Sequence, residues 1–255
     1  MTELATYPSL RDRAVLITGG GSGIGAAFVE AFTLQGAKVA FLDIAEQAAR
    51  ELLESLEGRS VHRPVFLPCD LMDIPSLQAS IERATAVCGP IRVLVNNAGS
   101  DDRHHFSEVT PAYWDQRIAV NLKHQFFAAQ AVAAGMKAAG GGSIVNMSSI
   151  AWMIPTPNLS VYETAKAAIV GMTKALAHDL GAAHIRVNCV SPGAILTERQ
   201  RRLWMSPEYE REVLSRQCIQ RNILPQDVAS LALFLAADDS SAITNQNYIV
   251  DGGWI

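Results

Sequence analysis

Seven short apolar runs limit the folds open to this sequence more than any other feature does. They show no regular alternation of apolar and polar residues, and helix-length segments separate the first six of them. Strands of this kind, spaced by helices, are typical of a parallel sheet that is buried on both faces. The runs are AVLIT at 14–18, KVAFL at 38–42, VFLPC at 65–69, RVLVN at 92–96, SIVNM at 143–147, IRVNCV at 185–190 and NYIVD at 247–251. The sequence therefore predicts an α/β protein: a doubly wound, parallel, seven-stranded sheet with helices on both faces.

The organisation of the chain favours a single domain. Its 255 residues would suit one large α/β domain or two small ones, but they include no low-complexity segment and no linker rich in proline or serine. We therefore interpret residues 1–255 as one cofactor-binding and catalytic domain. The alternation of strands and helices breaks at about 194–224, a charged stretch that follows the sixth strand. Insertions at the carboxyl ends of strands build substrate pockets, so this stretch is predicted to be a substrate lid.

Composition argues against several classes of function. The formal net charge is −4 and there is no basic run, so the sequence gives no support for binding to nucleic acid. No apolar run reaches the roughly 18 residues of a membrane span, and the polar N-terminus MTELATYPSL does not resemble a signal peptide. Four scattered cysteines without a CxxC pair argue against disulfides and against a zinc site. We expect a cytoplasmic protein without a metal.

A glycine-rich turn follows the first predicted strand and opens a helix. Its sequence is TGGGSGIG at 18–25, with the spacing Gly19-x-x-x-Gly23-x-Gly25 instead of GxGxxG. Glycines allow a tight turn and a close approach of the backbone to a pyrophosphate, and the helix N-terminus offers free N–H groups to the phosphates. A merely flexible turn is the alternative, but the strand before and the helix after it favour a dinucleotide site. The predicted contacts are Gly19, Ser22, Gly23, Ile24 and Gly25.

Asp43 ends the second predicted strand, eighteen positions after Gly25. An acidic residue near that offset hydrogen-bonds the adenosine ribose of NAD and repels the 2′-phosphate of NADP. Ile44 follows it, so no neighbouring cation offsets the charge. The predicted cofactor is NAD. Asp43 could also cap the helix predicted from IAEQAARELL, and the two roles are compatible.

The segment VYETAKAAIVGM at 161–172 places Tyr162 and Lys166 four residues apart, on one face of a predicted helix. Alone, this pair could be a surface tyrosine beside a lysine whose stem packs on the helix. It stands, however, in an ordered series of motifs. They are TGGGSGIG at 18–25, CDL with Asp70, NNAG at 96–99, VNL with Asn121, NMSS ending at Ser149, YETAK at 162–166, SPGAILT at 191–197 and DGG at 251–253.

On these motifs the chain resembles the classical short-chain dehydrogenase/reductase family, over nearly its whole length. Ser149 lies thirteen positions before Tyr162, the interval that this family uses. The resemblance implies a Rossmann-type fold and a homotetramer. It also implies that Asp70 and Leu71 flank the adenine, that residues 96–99 line the cofactor cleft, and that Ile195 and Thr197 hold the nicotinamide carboxamide. The cofactor residues that it adds to the glycine turn and Asp43 are Asp70, Leu71, Asn97, Ala98, Gly99, Tyr162, Lys166, Pro192, Gly193, Ile195 and Thr197.

The chemistry of the four predicted catalytic residues is consistent with this resemblance. Removing hydride from a carbinol carbon requires a base for the hydroxyl proton, and a free phenol, with a pKa of about 10, is roughly three units too weak an acid. Lys166 and the nicotinamide cation of NAD⁺ would stabilise the Tyr162 phenolate. The resemblance implies that Ser149 binds the substrate hydroxyl, that Asn121 helps hold a water beside Lys166, and that Lys166 binds the nicotinamide ribose.

The charged stretch GSDDRHHF at 99–106 follows the NNAG motif and suggests a polar substrate. We predict that Asp101, Arg103 and Gln200, with Ser149 and Tyr162, bind it. Trp152, Asn158 and Trp204 are candidate wall residues, whereas His104 and His105 are interpreted as solvated.

Four further motifs narrow the resemblance: NNAGSDDRH at 96–104, AYWDQRI at 112–118, YETAK at 162–166 and RQ at 199–200, before Trp204. On these motifs the chain resembles, within the family, bacterial aldose 1-dehydrogenases that act on L-arabinose or D-xylose. That resemblance implies NAD-dependent oxidation of the pyranose at C1 to an aldonolactone in pentose catabolism, with D-galactose as a further substrate. A 3-oxoacyl carrier-protein reductase and a non-catalytic NAD-binding regulator are the alternatives.

Overall fold

The computed structural model describes residues 5–255, in which one parallel sheet has seven strands. Every predicted apolar run forms a strand, with small differences at the ends. The strands are β1 Ala14–Thr18, β2 Lys38–Asp43, β3 Val65–Pro68, β4 Val93–Asn96, β5 Gly142–Met147, β6 Ile185–Pro192 and β7 Asn247–Val250. Their order across the sheet is β3-β2-β1-β4-β5-β6-β7, and all pairs are parallel. The predicted fold class is confirmed.

Helices cover both faces of this sheet. They are α1 Gly23–Leu34, α2 Glu46–Ser55, α3 Ile74–Cys88, α4 Pro111–Ile118, α5 His124–Ala138, α6 Ser160–Gly181, α7 Glu198–Leu203, α8 Pro207–Arg216 and α9 Pro225–Ala236. None of these described helices combines the length and apolar character that a membrane crossing requires.

Successive residues of the central strands belong to two separate hydrophobic cores. In β1, Val15 and Ile17 pack on the side of α1 and α9, whereas Leu16 packs with α3, α5 and α6. All five residues of β1 are buried. This two-sided burial explains why the strands read as continuous apolar runs, because neither face of the sheet meets water.

The order of the strands reverses beside β1, because β2 lies on one side of it and β4 on the other. The carboxyl ends of parallel strands lie along one edge of the sheet, and ligands of such folds bind at the point of reversal. The glycine turn after β1 and the NNAG motif that begins at the end of β4 therefore meet at this edge. All the predicted site motifs follow strand ends or lie on the helices next to them.

Two local features differ from the sequence interpretation. A π-helical turn, Ala119–Lys123, joins α4 to α5 and contains Asn121. Single π-helical turns inside α-helices are frequent at functional sites. The helix after Asp43 begins at Glu46 with Ala45 in the cap position, so the proposed capping role of Asp43 is wrong.

The segment predicted to be a lid contains α7 and α8, and a bridge between Ile195 and Ile223 closes its base.

Candidate active site

The glycine turn packs directly against the start of the NNAG motif. The side-chain amide of Asn97 donates to the carbonyls of Thr18 and Gly19, at 3.1 and 2.8 Å. A Cβ on Gly25 would lie 1.8 Å from the Gly19 carbonyl oxygen, so only glycine fits there. Gly19 has a φ of +66°, a conformation that favours glycine. Two glycines of the motif are thus required by the turn itself.

The first turn of α1 is available to an anion. The helix begins at Gly23, and within residues 5–255 the side chain of its cap residue Ser22 makes no capping hydrogen bond. The first N–H groups of a helix have no acceptor inside the helix, and they attract phosphate. The N–H groups of Gly23, Ile24 and Gly25 are thus candidates to bind a pyrophosphate, and this role stays a prediction.

Asp43 lies beside the same turn. One of its carboxylate oxygens accepts from the Gly21 N–H at 2.7 Å, and the other accepts from the Ala45 N–H at 2.9 Å. These two bonds fix the carboxylate at the end of β2, and each oxygen retains a further lone pair for a ribose hydroxyl. The next residue, Ile44, is 73% exposed and apolar. It therefore offers no positive charge to a 2′-phosphate bound beside Asp43.

The remaining predicted cofactor residues lie at or after the carboxyl ends of β3, β4 and β6. Asp70 is exposed after β3 and Leu71 next to it is buried. Ala98 and Gly99 follow Asn97, and a Cβ on Gly99 would be 3.3 Å from the Lys166 Nζ. Pro192 ends β6, and it is followed along the chain by Gly193, by buried Ile195 and by Thr197, which caps α7. Asn96, the first residue of the NNAG motif, faces the interior of the protein. Its side-chain amide is buried and donates to the Asn146 side chain and to the Gln125 carbonyl.

Tyr162 and Lys166 lie together on α6, with the Lys166 Nζ 5.4 Å from the centre of the phenol ring. Lys166 is only 3% exposed and donates to the Met147 carbonyl at 2.9 Å. Burial lowers the pKa of Lys166 to about 8. Burial also raises the pKa of Tyr162, as does the Asp101 carboxylate, and the Ser149 hydroxyl opposes this shift. Burial thus favours the neutral form of the phenol, and its activation by Lys166 stays a prediction.

Asn121 is held by the π-helical turn and by the loop after β4. Its Oδ1 accepts from the Ser100 N–H at 2.8 Å, while its Nδ2 donates to the carbonyls of Ser100 and Arg117 at 3.1 and 3.0 Å. Its side-chain amide therefore fixes the loop that carries Asp101. The water-holding role of Asn121 stays a prediction, and it would involve the backbone of this turn, since the amide is engaged.

All five predicted substrate residues line one cavity of about 540 Å³ at the carboxyl edge of the sheet. Ser149 and Tyr162 form the catalytic end, and Asp101, Arg103 and Gln200 contribute polar groups. Asp101 forms an ion pair with Arg199 of α7 and accepts from the Gln200 amide at 3.3 Å. The Arg103 guanidinium lies 4.4 Å from the centre of the Trp204 ring. The loop after β4 and the segment 194–224 are thus joined by three contacts, two of Asp101 and one of Arg103.

The described residues around this cavity differ from the sequence prediction in several places. Trp152 and Asn158 are not among them, and Trp204 is linked to the cavity through Arg103. His104 is half-buried and hydrogen-bonded, so its interpretation as a solvated residue is wrong. The wall residues that the sequence did not identify include Tyr209, Glu212, Arg216 and Trp254. The first three recur at helical spacing along α8, which is the signal that could have identified them.

Comparisons with known proteins agree with this arrangement. A family model described as Enoyl-(Acyl carrier protein) reductase matches residues 19–255. D-xylose 1-dehydrogenase of Caulobacter vibrioides is 50% identical over 250 residues, which are 98% of each chain. A probable galactose dehydrogenase of Rhizobium meliloti is 50% identical over 247 residues, 97% of this chain and 96% of that one.

The chain belongs to the short-chain dehydrogenase/reductase family. It is an oxidoreductase, as the sequence predicts.

Two solved members of the short-chain dehydrogenase/reductase family bear on its cofactor. A 7α-hydroxysteroid dehydrogenase complexed with NADH and 7-oxoglycochenodeoxycholic acid is 33% identical, with a TM-score of 0.90 and 96% of each chain covered. A blue fluorescent protein from a metagenomic library, in complex with NADPH, is 31% identical, with a TM-score of 0.88, over 96% of this chain and 99% of that one. The cofactor class of this family member is therefore a nicotinamide dinucleotide. Among residues 5–255 there is no group of three His, Cys, Asp or Glu side chains arranged to hold a metal ion.

Proposed function

We propose that this protein oxidises an aldopyranose at C1 with NAD and releases the aldonolactone. The observation that carries this proposal is one cavity that joins Tyr162 and Ser149 to the polar side chains of Asp101, Arg103 and Gln200. The expected substrates are L-arabinose or D-xylose first and D-galactose next. The two relatives at 50% identity, a D-xylose 1-dehydrogenase and a probable galactose dehydrogenase, support an aldose as substrate.

The proposed mechanism assigns one step to each side chain. NAD, when bound, supplies the acceptor for the hydride that leaves C1. Ser149 hydrogen-bonds the C1 hydroxyl, and Tyr162 accepts its proton, so that loss of hydride and proton converts C1 into the lactone carbonyl. Lys166 holds positive charge beside the phenolate and binds the nicotinamide ribose. Asp101, Arg103 and Gln200 bind the C2 and C3 hydroxyls of the sugar.

We assign NAD over NADP from the surroundings of Asp43. Its carboxylate is fixed by two N–H donors at the end of β2, and the neighbouring Ile44 is apolar and exposed. A 2′-phosphate placed there would meet a negative charge without a compensating cation.

The cofactor assignment can be tested by removing this charge and adding a cation. Asp43→Asn with Ile44→Arg keeps an acceptor for the glycine turn, removes the repulsion and supplies a phosphate partner. We expect the ratio of kcat/KM for NADP to that for NAD to rise roughly ten- to a hundredfold, because a hydrogen bond to a charged group contributes about 1.5–3 kcal/mol. Ile44→Arg alone is the control and should shift the ratio less. A parent enzyme that uses NADP as well as NAD contradicts the assignment.

The alternatives to an aldose dehydrogenase predict different behaviour. A 3-oxoacyl carrier-protein reductase needs an apolar channel for the acyl chain, whereas the wall of this cavity combines apolar residues with the charged side chains of Asp101, Arg103, Glu212 and Arg216. A non-catalytic regulator would bind NAD and produce no NADH with any sugar. Neither alternative requires the charged side chains of Asp101 and Arg103 beside the catalytic residues.

The test of the proposed function is a panel of aldoses assayed for NADH formation. We expect turnover with the pentoses and D-galactose, and little turnover with secondary alcohols or steroids. Asp101→Ala and Arg103→Ala should each lower kcat/KM for the sugars by roughly one to two decades, because each lost hydrogen bond leaves a polar partner unsatisfied. Affinity for NAD should stay within about twofold in both variants. Undiminished pentose oxidation by both variants would place the sugar site elsewhere.

We also propose a homotetramer and a cytoplasmic location. Trp114 and Phe126, on α4 and α5, are 41% and 42% exposed in the single chain, which supports an apolar contact with another subunit. Light scattering should then give four times the 27.5 kDa of one chain.

Support for the cytoplasm comes from the cysteines, since Cys69, Cys88, Cys189 and Cys218 are all free in residues 5–255.

A further inference from the structure

The ring of His104 lies between α4 and the first turn of α6. Its Nε2 is 3.2 Å from the Ser160 Oγ and 3.5 Å from the Val161 nitrogen. Its Nδ1 is 2.9 Å from the Tyr113 hydroxyl, and the rings of His104 and Tyr113 pack with their centres 5.1 Å apart. The backbone N–H of His104 donates to the Asn158 carbonyl at 2.9 Å. The ring thus connects the loop after β4 to the helix that carries Tyr162.

These contacts agree on one protonation state of the imidazole. The Val161 N–H can only donate, so Nε2 must be the acceptor. The Asp102 carbonyl oxygen can only accept and lies 3.3 Å from Nδ1, so Nδ1 carries the proton. The contacts therefore assign Nδ1 as the donor and Nε2 as the acceptor. The Tyr113 hydroxyl in turn lies 3.4 Å from the Asp102 carboxylate, which faces Arg117 at 3.6 Å.

The first turn of α6 needs such a partner. The helix begins at Ser160 and its cap residue is Leu159, whose apolar side chain cannot accept a hydrogen bond. The Val161 N–H belongs to the first turn and has no acceptor within the helix. Cap residues with polar side chains normally fill this role, and their loss frays the turn. His104 supplies the acceptor from a distant segment, and Tyr162 is the next residue along the helix.

We propose that His104 is a positioning residue for the reaction, which caps the catalytic helix and thereby fixes the Tyr162 hydroxyl against the substrate. The same loop carries Asp101 and Arg103, so one ring sets the distance between the proton acceptor and the groups that bind the sugar. His104 acts through Val161 and is not among the described residues that line the substrate cavity. This inference rests on the proposed role of Tyr162 as the base.

The experiment compares two substitutions that differ in reach. His104→Gln places an amide oxygen near the position of Nε2, whereas the shorter side chain of His104→Asn can reach Tyr113 and falls short of Val161. We expect kcat of the Asn variant to fall roughly tenfold or more, because a small displacement of a catalytic group is costly. The Gln variant should recover kcat to within about threefold of the parent, and both should bind NAD within about twofold of it. His105→Asn is the matched control, since His105 is exposed and contacts Ser107.

Amide hydrogen exchange provides a second measurement that needs no substrate. Exchange at Val161 and Tyr162 should become roughly three- to thirtyfold faster in the Asn variant and change little in the Gln variant, as expected for a lost cap. If the parent oxidises no aldose, the proposed function fails while the exchange result still tests His104. Parent-like exchange in the Asn variant, or an equal loss of kcat in both variants, would overturn the proposal and leave His104 a packing residue.

Discussion

At the scale of single residues, burial disfavours the charged forms of both Tyr162 and Lys166. Burial raises the pKa of Tyr162 and lowers the pKa of Lys166 to about 8. At pH 7 most of Lys166 still carries its proton, while the phenol is neutral. Tyr162 can therefore act as a base only when further positive charge, such as the nicotinamide of NAD⁺, enters the site.

Substituting the two residues should separate their roles. Tyr162→Phe removes the proton acceptor and should lower kcat by roughly a thousandfold, within the usual range for a general base, with NAD affinity intact. Lys166→Ala should reduce both kcat and NAD affinity, because Lys166 is also expected to bind the ribose. Steady-state NADH formation and NAD titration measure the two effects. Tyr209→Phe, which alters another phenol of the same cavity, is the control. Turnover of Tyr162→Phe within about tenfold of the parent would rule out its assignment as the base.

At the scale of elements, the ion pair between Asp101 and Arg199 connects the loop after β4 to α7. Arg199 is the more exposed partner, so the pair contributes little to global stability, about 1 kcal/mol at most. Its effect should fall on the orientation of Asp101 toward the substrate. Arg199→Ala should therefore raise KM for the aldose roughly two- to fivefold, in keeping with that energy, and leave KM for NAD unchanged. The effect should diminish at high salt.

The neighbouring Arg202 offers a matched control for this prediction. It lies on the same helix and is exposed. Arg202→Ala removes an equal charge from α7 and should leave both KM values unchanged. Equal shifts in the two variants would show that the net charge of α7, and not its contact with Asp101, affects substrate binding.

Elements also show what the sequence could and could not predict. The strands were predictable because a strand buried on both faces is a continuous apolar run, as AVLIT shows in β1. The π-helical turn was not, because AVNLK is an ordinary helical sequence. Its position depends on the contacts of Asn121 with Ser100, twenty-one residues earlier. The role of His104 was missed for the same reason, since its partners Tyr113 and Ser160 lie on separate helices.

At the scale of the whole molecule, the fully buried His124 should make the protein sensitive to acid. Burial, together with the nearby Lys166 ammonium, lowers the pKa of His124 to about 4, whereas an unfolded histidine titrates near 6.5. Between these values the unfolded chain binds more protons than the folded one, so stability falls as pH falls from about 6.5 to about 4. The shift corresponds to roughly 3 kcal/mol of unfolding free energy.

Urea unfolding at pH 7 and pH 4.5 would measure this loss. His124→Gln retains a donor for the Ala98 carbonyl and cannot titrate, so it should lose roughly 2–3 kcal/mol less than the parent over that interval. His178→Gln, at an exposed position of α6, is the control and should follow the parent. Carboxylate titration contributes to all three proteins and cancels in the comparison. Identical pH dependence in the parent and in His124→Gln would contradict the prediction.

The packing of Asn97 against the glycine turn has a consequence for the order of events during synthesis. Asn97 follows the turn that it fixes by 78 residues, and β4 must pair with β1 before the two can meet. Domains fold as the ribosome extends them at about 5–20 residues per second. For several seconds the nascent chain therefore holds the phosphate-binding glycines without the side chain that orders them. We expect nascent chains to acquire affinity for dinucleotide only after β4 has emerged, so the cofactor can stabilise a late folding intermediate but cannot nucleate an early one.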